Sequence, residues 1–308
     1  MLTVTLPGTA ATRPLPERAL SCAVFSVNGR HILLDCGEGT QTALHRQRIS
    51  PMKIDLIALT HYHGDHILGL PGLLQTMDTM GRRDPLHITG PEEGHEPVLA
   101  ALLTLAGEIG FSVWFIPTKE SGITLHNINP QWPPQAHLLA FPTTHRVASQ
   151  GYRLELERMR PLDVDKAIEL GIPRRCWRTL QWGSPIKMGE QTIFPDDICG
   201  PWRKGLSVVF TGDTAPSPRV QAASLAADLL IMDATYPDDT HLDKAALYGH
   251  ATFLQAAELA RNAGVQQLWL THYSAMIEDP AAYLSAAQAI FPGAACGIDG
   301  KTLTLNFR

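Results

Sequence analysis

The segment His61-Tyr62-His63-Gly64-Asp65-His66 packs four side chains able to bind metal into six residues. In an extended backbone, residues two apart point to the same side, so the imidazoles of His61 and His63 can reach one cation. Gly64 permits a sharp turn after them. Asp65 and His66 then fall where the next helix should begin, and can point to a second cation. Neutral imidazole with carboxylate suits Zn²⁺, and Mn²⁺ or Fe accept the same groups. The competing reading is a run of surface histidines, which would have no reason to keep this spacing.

A two-metal site needs more ligands than one segment supplies. His145 follows the apolar run Leu138-Leu139-Ala140-Phe141, Asp213 follows Val208-Val209-Phe210-Thr211-Gly212, and His272 follows Leu268-Trp269-Leu270-Thr271. A lone His or Asp at a strand end is more often structural than a ligand. Beside the His61–His66 cluster the odds reverse. Asp213 is the natural bridging carboxylate, since a bridge holds two metals about 3.5–4 Å apart. Two such cations would lower the pKa of water, supplying hydroxide as nucleophile, and would offset charge on the group attacked. That favours a phosphodiester; an ester, lactone or thioester fits the same chemistry. The leaving group needs a proton. His250, in Gly249-His250-Ala251-Thr252, stands just before a predicted helix and could supply it, or could simply be an N-terminal helix residue. Asp233, closing Leu229-Leu230-Ile231-Met232, could hold and charge that imidazole. The candidate catalytic groups are therefore Asp65, which is also a candidate ligand, with His250 and Asp233.

These groups must be positioned by regular elements. Short strand-like runs come first, at Leu2–Leu6, Cys22–Val27 and His31–Asp35. Ile54–Leu59 has the continuous apolar character of a buried strand. Helical spacing over Leu68–Met80 is interrupted early by Pro71-Gly72. Leu86–Thr89 and Ser112–Ile116 are predicted strands flanking a helix near Pro97–Ala106. Later come strands Leu206–Phe210, Leu229–Met232 and Gln267–Leu270, with helices Thr252–Ala263, ended by Gly264, and Pro280–Ile290. This interleaving predicts an α/β or layered α+β core. Three apolar runs end in Thr60-His61, Thr211-Gly212-Asp213 and Thr271-His272. Ligands collect at the carboxyl ends of strands in such sheets, so all three should share one rim.

The chain has 308 residues and is 44% hydrophobic, enough for a substantial core. No stretch approaches the roughly 20 apolar residues that span a bilayer, and Met1–Leu6 reads as a strand and not a signal peptide. Five cysteines without C-x-x-C pairing argue against a disulfide framework and for a reducing compartment. The formal charge of −5 gives no support for a basic RNA-binding face. Leu154–Lys204 is rich in Pro, Gly, Trp and charge, and reads as an arm or lobe inserted in a single 1–308 domain. It carries nine Lys/Arg against eight Asp/Glu and half of the six tryptophans, Trp177, Trp182 and Trp202. Arginine beside aromatic rings can stack on bases or bind phosphate. The simpler alternative is that these tryptophans pack the arm.

These residues resemble the signature of the metallo-β-lactamase superfamily and, within it, the short form of the ribonuclease Z family. The likeness covers nearly the whole chain. It includes Asp35-Cys36-Gly37-Glu38-Gly39-Thr40-Gln41, Gly69-Leu70-Pro71-Gly72-Leu73-Leu74, and His145 six residues before Gly151-Tyr152-Arg153. Thr211-Gly212-Asp213-Thr214, Gly249-His250-Ala251-Thr252 and Leu270-Thr271-His272 complete it. H-x-H-x-D-H alone marks only the superfamily; the D-C-G-E-G-T-Q run with the H…G-Y-R spacing is more specific to ribonuclease Z. The resemblance implies an α+β fold, a four-layer αβ/βα sandwich with metals on one edge of its two sheets. It implies two divalent ions, zinc or manganese: one held by His61, His63 and His145, the other by Asp65, His66 and His272, with Asp213 bridging and Asp35 orienting the ligands. It implies an endoribonuclease that removes the 3′ trailer from precursor tRNA and leaves a 3′-hydroxyl, with His250 protonating the leaving oxygen. It also implies a cytoplasmic homodimer in which one subunit's arm serves the other.

The chain departs from the family pattern in three places. Met232-Asp233-Ala234-Thr235 stands where the family has H-E-A-T, and His250-Ala251-Thr252 where it has H-S-T. After Gly171-Ile172-Pro173, where a Gly-Pro motif is expected, the arm reads Arg174-Arg175-Cys176-Trp177; Arg174, Arg175 and Trp177 are candidate substrate contacts. Two rival functions share the sequence features: a hydrolase of this fold acting on a small phosphodiester, lactone or ester, and a non-catalytic RNA-binding protein on the same fold.

Overall fold

A computed structural model describes residues 1–118 and 122–307 of the chain. They divide into two compact units, Met1–Glu155 with Ser207–Asn306, and Leu156–Leu206.

The first unit is built on two seven-stranded sheets. Across the first sheet the strands run Lys301–Leu305, Leu2–Gly8, Cys22–Val27, Arg30–Leu34, Ile54–Ala58, Leu86–Thr89 and Val113–Phe115. Across the second they run Ala294–Cys296, Leu268–Thr271, Leu229–Asp233, Arg203–Phe210, Gln150–Arg158, Ala136–Pro142 and Ile123–Thr124. Alternate strand residues reach opposite faces. In the first sheet Val24, Leu33, Ile57 and Ile88 pack under the helices Leu70–Thr79 and His95–Ala106. In the second, Val209, Leu230, Met232 and Leu270 pack under the helix Phe253–Ala263. The residues of opposite parity, among them Phe25, Ile32, Leu56, Val208 and Ile231, are also fully buried. Each sheet therefore has a helix-covered outer face and a buried inner face, the four-layer α+β sandwich. Truncating one fully buried core leucine such as Leu73 to Ala would cost about 2–5 kcal/mol.

Local signals explain the element ends. Thr252 caps its helix by accepting from the Gln255 amide while the Gln255 side chain accepts from the Thr252 amide. Gly264 ends that helix in the left-handed conformation. Pro71 does not break the helix expected over Leu68–Met80. The helix begins at Leu70, and Pro71 occupies its first turn, where the missing N–H has no partner to lose. The expected helix Pro280–Ile290 is a 3-10 turn, Pro280–Tyr283, followed by the α-helix Leu284–Ile290.

The site depends on direction. Strands Arg203–Phe210, Leu229–Asp233, Leu268–Thr271 and Ala294–Cys296 pair in parallel, with Phe210 beside Ile231 and Asp233 beside Thr271. Their carboxyl ends therefore open on one edge. Ile54–Ala58 delivers Thr60 and His61 to that edge from the other sheet, and the Gln150 amide donates to the Thr60 carbonyl at 2.9 Å.

The second unit is small. Helices Val164–Glu169 and Arg174–Gln181, a hairpin of Ile186–Met188 with Gln191–Ile193, and the turn Pro195–Ile198 enclose Ala167, Ile172, Leu180, Ile193 and Ile198. Arg160 ties it together, donating to the carbonyls of Gly200 and Cys199 and to Asp196.

Candidate metal centre

The seven residues expected as ligands converge. His61 Nε2 lies 2.9 Å from His63 Nδ1, and His145 Nε2 lies 3.3 Å from the same atom. On the other side, Asp65 Oδ2 is 3.5 Å from His66 Nε2 and 3.8 Å from His272 Nε2. Asp213 stands between the two groups. Its Oδ2 faces His61 Nε2 at 3.8 Å and His145 Nε2 at 4.0 Å. Its Oδ1 faces His66 Nε2 at 3.4 Å and His272 Nε2 at 3.1 Å.

Surrounding hydrogen bonds decide which ring nitrogens carry lone pairs. Asp35 accepts from the Thr60 amide at 2.7 Å and from the Thr60 hydroxyl at 2.9 Å. The hydroxyl has one proton, so its oxygen must accept from His61 Nδ1–H, 3.0 Å away. Asp35 Oδ2 also accepts from His66 Nδ1–H at 2.8 Å. The Gly249 carbonyl can only accept, so His145 Nδ1 donates to it at 3.0 Å. The Thr235 hydroxyl donates to Asp233 at 2.8 Å, so it accepts from His272 Nδ1–H at 2.9 Å. All four Nε2 atoms are thereby left as bare acceptors aimed inward, the orientation that ligand-holding shells impose on histidine.

Such a centre fits divalent cations. His66 Nε2, His272 Nε2 and Asp213 Oδ1 are buried and have no hydrogen-bond partner, a costly state without a cation between them. Two other ring nitrogens converge on His63 Nδ1, and one proton can serve only one of those contacts. Burial pushes the His61 pKa down to about 2, so that ring is neutral. Burial opposes charge on His66 as well, but Asp213 and Asp35 outweigh it and hold the pKa well above the usual histidine value, so without a cation a proton takes the inward Nε2 position that a cation would fill. Burial favours the neutral form of Asp213, yet His272 and His66 hold its pKa well below the carboxylate range. The carboxylates thus create a field that calls for positive charge. Among the described residues four sets of His and Asp atoms lie close enough to share an ion: His61-His63-His145, Asp65-His66-His272, His61-His66-Asp213 and Asp213-Asp233-His250-His272. Nitrogen and carboxylate donors suit zinc and manganese alike.

His250 and Asp233 form a pair beside this centre. Asp233 Oδ2 accepts from His250 Nδ1 at 2.7 Å. Burial alone would lower the His250 pKa, but the Asp233 carboxylate outweighs it and raises the value to about 9. The ring is then protonated at neutral pH and can donate through Nε2. Asp233 is fixed in turn by the amides of Thr214 and Thr235. Met232, the other departure from the family's H-E-A-T, is fully buried in the helix-covered core of the second sheet.

Three groups at the centre have no expectation attached to them in the sequence. Thr60 and Thr235 relay between a carboxylate and a histidine, and the Thr12 amide donates to Asp65 Oδ2 at 2.8 Å. Strand-end threonines are conspicuous in the sequence, but their relay role depends on contacts between distant segments. Asp35 and His272 carry positive φ, 60° and 61°, a left-handed conformation costing about 1–3 kcal/mol off glycine. Such outliers cluster where function over-determines the backbone. Arg174, Arg175 and Trp177 lie in the second unit. The Trp177 indole N–H donates to the Ile172 carbonyl at 2.9 Å, and its ring packs on that unit's core with Arg174 over it.

Fold and site together define the class: a metal-dependent hydrolase of the metallo-β-lactamase superfamily, whose description matches residues 16–112. Ribonuclease Z of Agathobacter rectalis is 39% identical over 307 residues, covering 100% of this chain and 99% of the relative. Ribonuclease Z of Lachnoclostridium phytofermentans is 38% identical over 311 residues, with 100% and 99% covered. The chain belongs to the ribonuclease Z family. The crystal structure of human tRNase Z, short form, superposes with a TM-score of 0.68 at 24% identity, covering 99% of this chain and 100% of that one, and so shares its fold. Among the described residues no helix is long and apolar enough to cross a membrane.

Proposed function

We propose that this protein is an endoribonuclease that removes the 3′ trailer from precursor tRNA. The observation that carries the reading is the paired centre, four bare Nε2 atoms around one buried carboxylate with a charged His250 beside it, in a chain of this family. His61, His63 and His145 would hold one divalent ion, Asp65, His66 and His272 a second, with Asp213 between them; zinc is the preferred metal and manganese the alternative. Two bound cations would activate water and offset charge on the phosphodiester.

The chain's own groups do the rest. Asp35 and Thr60 hold His61 and His66 in the ligand tautomer, and Thr235 does the same for His272. Water adds its oxygen to phosphorus and releases one proton to solvent, from which His250 is reprotonated after the step, and the bond from phosphorus to the 3′-oxygen breaks. His250 Nε2 gives its proton to that oxygen, leaving a 3′-hydroxyl on the tRNA and a 5′-phosphate on the trailer. Asp233 keeps His250 charged and oriented. Arg174, Arg175 and Trp177 are candidate tRNA contacts in the inserted lobe. A cytoplasmic homodimer accompanies this reading through the family resemblance alone.

The test is incubation of the metal-loaded protein with an unprocessed tRNA transcript and, separately, with bis-p-nitrophenyl phosphate. Cleavage at the trailer junction supports the reading. Turnover of the small diester alone would assign the protein to small substrates instead.

A further inference from the structure

An arginine stacked on an aromatic ring is a recognisable device for binding nucleic acid. The structure holds such a pair next to the candidate metal centre itself. The Arg146 guanidinium lies over the Tyr248 ring, 4.9 Å from its centroid. Arg146 directly follows His145, and Tyr248 precedes Gly249 and His250.

The pair is built by the same contact that orients His145. Gly249 ends the helix Leu242–Tyr248 with φ 70°. Its carbonyl accepts from His145 Nδ1, and a Cβ there would meet the His145 Cα at 2.9 Å. Only glycine allows this close approach and this φ together. The approach seats Tyr248 beneath Arg146. The guanidinium is exposed, and among the described residues no carboxylate pairs with it. Stacking restrains the side chain while leaving its N–H fork free, the arrangement suited to a phosphate.

We propose that Arg146, held by Tyr248, is a specificity-determining residue that binds a backbone phosphate of the RNA flanking the scissile bond. A small diester has no flanking phosphate, so this contact separates polynucleotide from small substrates. The inference rests on the RNA-cleaving function proposed above.

The experiment compares wild type with Arg146→Ala, Arg146→Lys and Tyr248→Leu on the tRNA transcript and on bis-p-nitrophenyl phosphate, across a salt series, with bound metal measured for each. The expected result for Arg146→Ala is a rise in KM for the transcript of roughly ten- to hundred-fold, the range for a charge-assisted hydrogen bond. The ratio of transcript to diester kcat/KM falls at least tenfold, and the logarithmic salt slope weakens by about 0.7–0.9, one phosphate's share. Arg146→Lys recovers the salt slope but only part of the KM, because the fork is lost. Tyr248→Leu moves KM in the same direction by less. Metal content stays at the wild-type level throughout. An unchanged KM and slope overturn the inference, as do equal losses on both substrates or a loss of metal, which would make Arg146 a support for His145. If wild type cleaves only the diester, the functional reading and this inference fall together. If wild type cleaves the transcript and Arg146→Ala does so equally well, only the inference falls.

Discussion

Asp233 Oδ2 and His250 Nδ1 are 2.7 Å apart, with the carboxylate fully buried. This contact should set the alkaline limit of activity. Asp233 raises the His250 pKa to about 9, and a raised pKa keeps the proton on until the pH passes that value. Bound cations would pull the value down, so the alkaline limb of kcat should lie no higher than about 9. Asp233→Asn removes the charge that offsets burial, and the limb should move down by more than one pH unit. His250→Ala should keep its metals and slow turnover by about 10²–10⁴-fold. Metal loss in His250→Ala, or an unmoved limb in Asp233→Asn, would reassign both residues.

His63 presents Nδ1 to two other imidazoles at once. His63→Ala should therefore lose bound metal and activity together, measured by elemental analysis and turnover on the same sample. Chelation of the wild type should lower its melting temperature, because buried Asp213 and its neighbours would lose their counter-charge. Free metal at about 1,000 times Kd stabilises a binding-competent fold by about 4 kcal/mol. Full activity in His63→Ala would refute its place among the ligands.

Thr60 uses its single proton on Asp35 and so holds the proton of His61 on Nδ1. Thr60→Val keeps the volume and removes the relay. Metal affinity should fall about 10- to 100-fold, the usual effect of losing such an outer contact, while secondary structure is kept. Competition against a chromogenic chelator reads this directly, and an unchanged affinity would show that Asp35 orients the centre without Thr60.

These contacts mark the boundary of what the sequence discloses. His61, His63, Asp65 and His66 are legible because few residue types bind metal and their spacing is tight. Asp213 and His272 are legible because each closes an apolar run, and parallel strands end on one edge. Thr60 and Thr235 carry no such mark. A strand-end threonine is common, and only the fold brings Thr235 to His272, 37 residues away. The pairing of Leu2–Gly8 with Lys301–Leu305 is equally silent, since antiparallel partners at opposite chain ends leave no local trace. Arg146 was hidden for another reason. Its neighbour in sequence is a candidate ligand, but its partner in space, Tyr248, lies 102 positions on. In the lobe Arg174 also lies over the Trp177 ring, but there the indole is held in the core by its N–H bond to Ile172.

The lobe supplies the last prediction. Leu156–Leu206 has its own core and a nearly balanced charge, so bulk electrostatic attraction is a weak basis for holding tRNA there. Recognition would then depend on a few exposed groups, and Arg174 and Arg175 are exposed on the first turn of their helix. The Arg174→Ala, Arg175→Ala double variant should raise KM for a tRNA transcript several-fold and leave the lobe folded. Trp177→Ala should loosen the lobe, visible as faster amide exchange in Val164–Glu169 and Arg174–Gln181, because the indole packs on the lobe's core and donates to the Ile172 carbonyl. Replacing Leu156–Leu206 by a short linker should damage transcript cleavage far more than cleavage of bis-p-nitrophenyl phosphate, with metal content kept as the check on folding. Equal losses on both substrates would make the lobe a structural element, and the tRNA contacts would have to be sought around Arg146 instead.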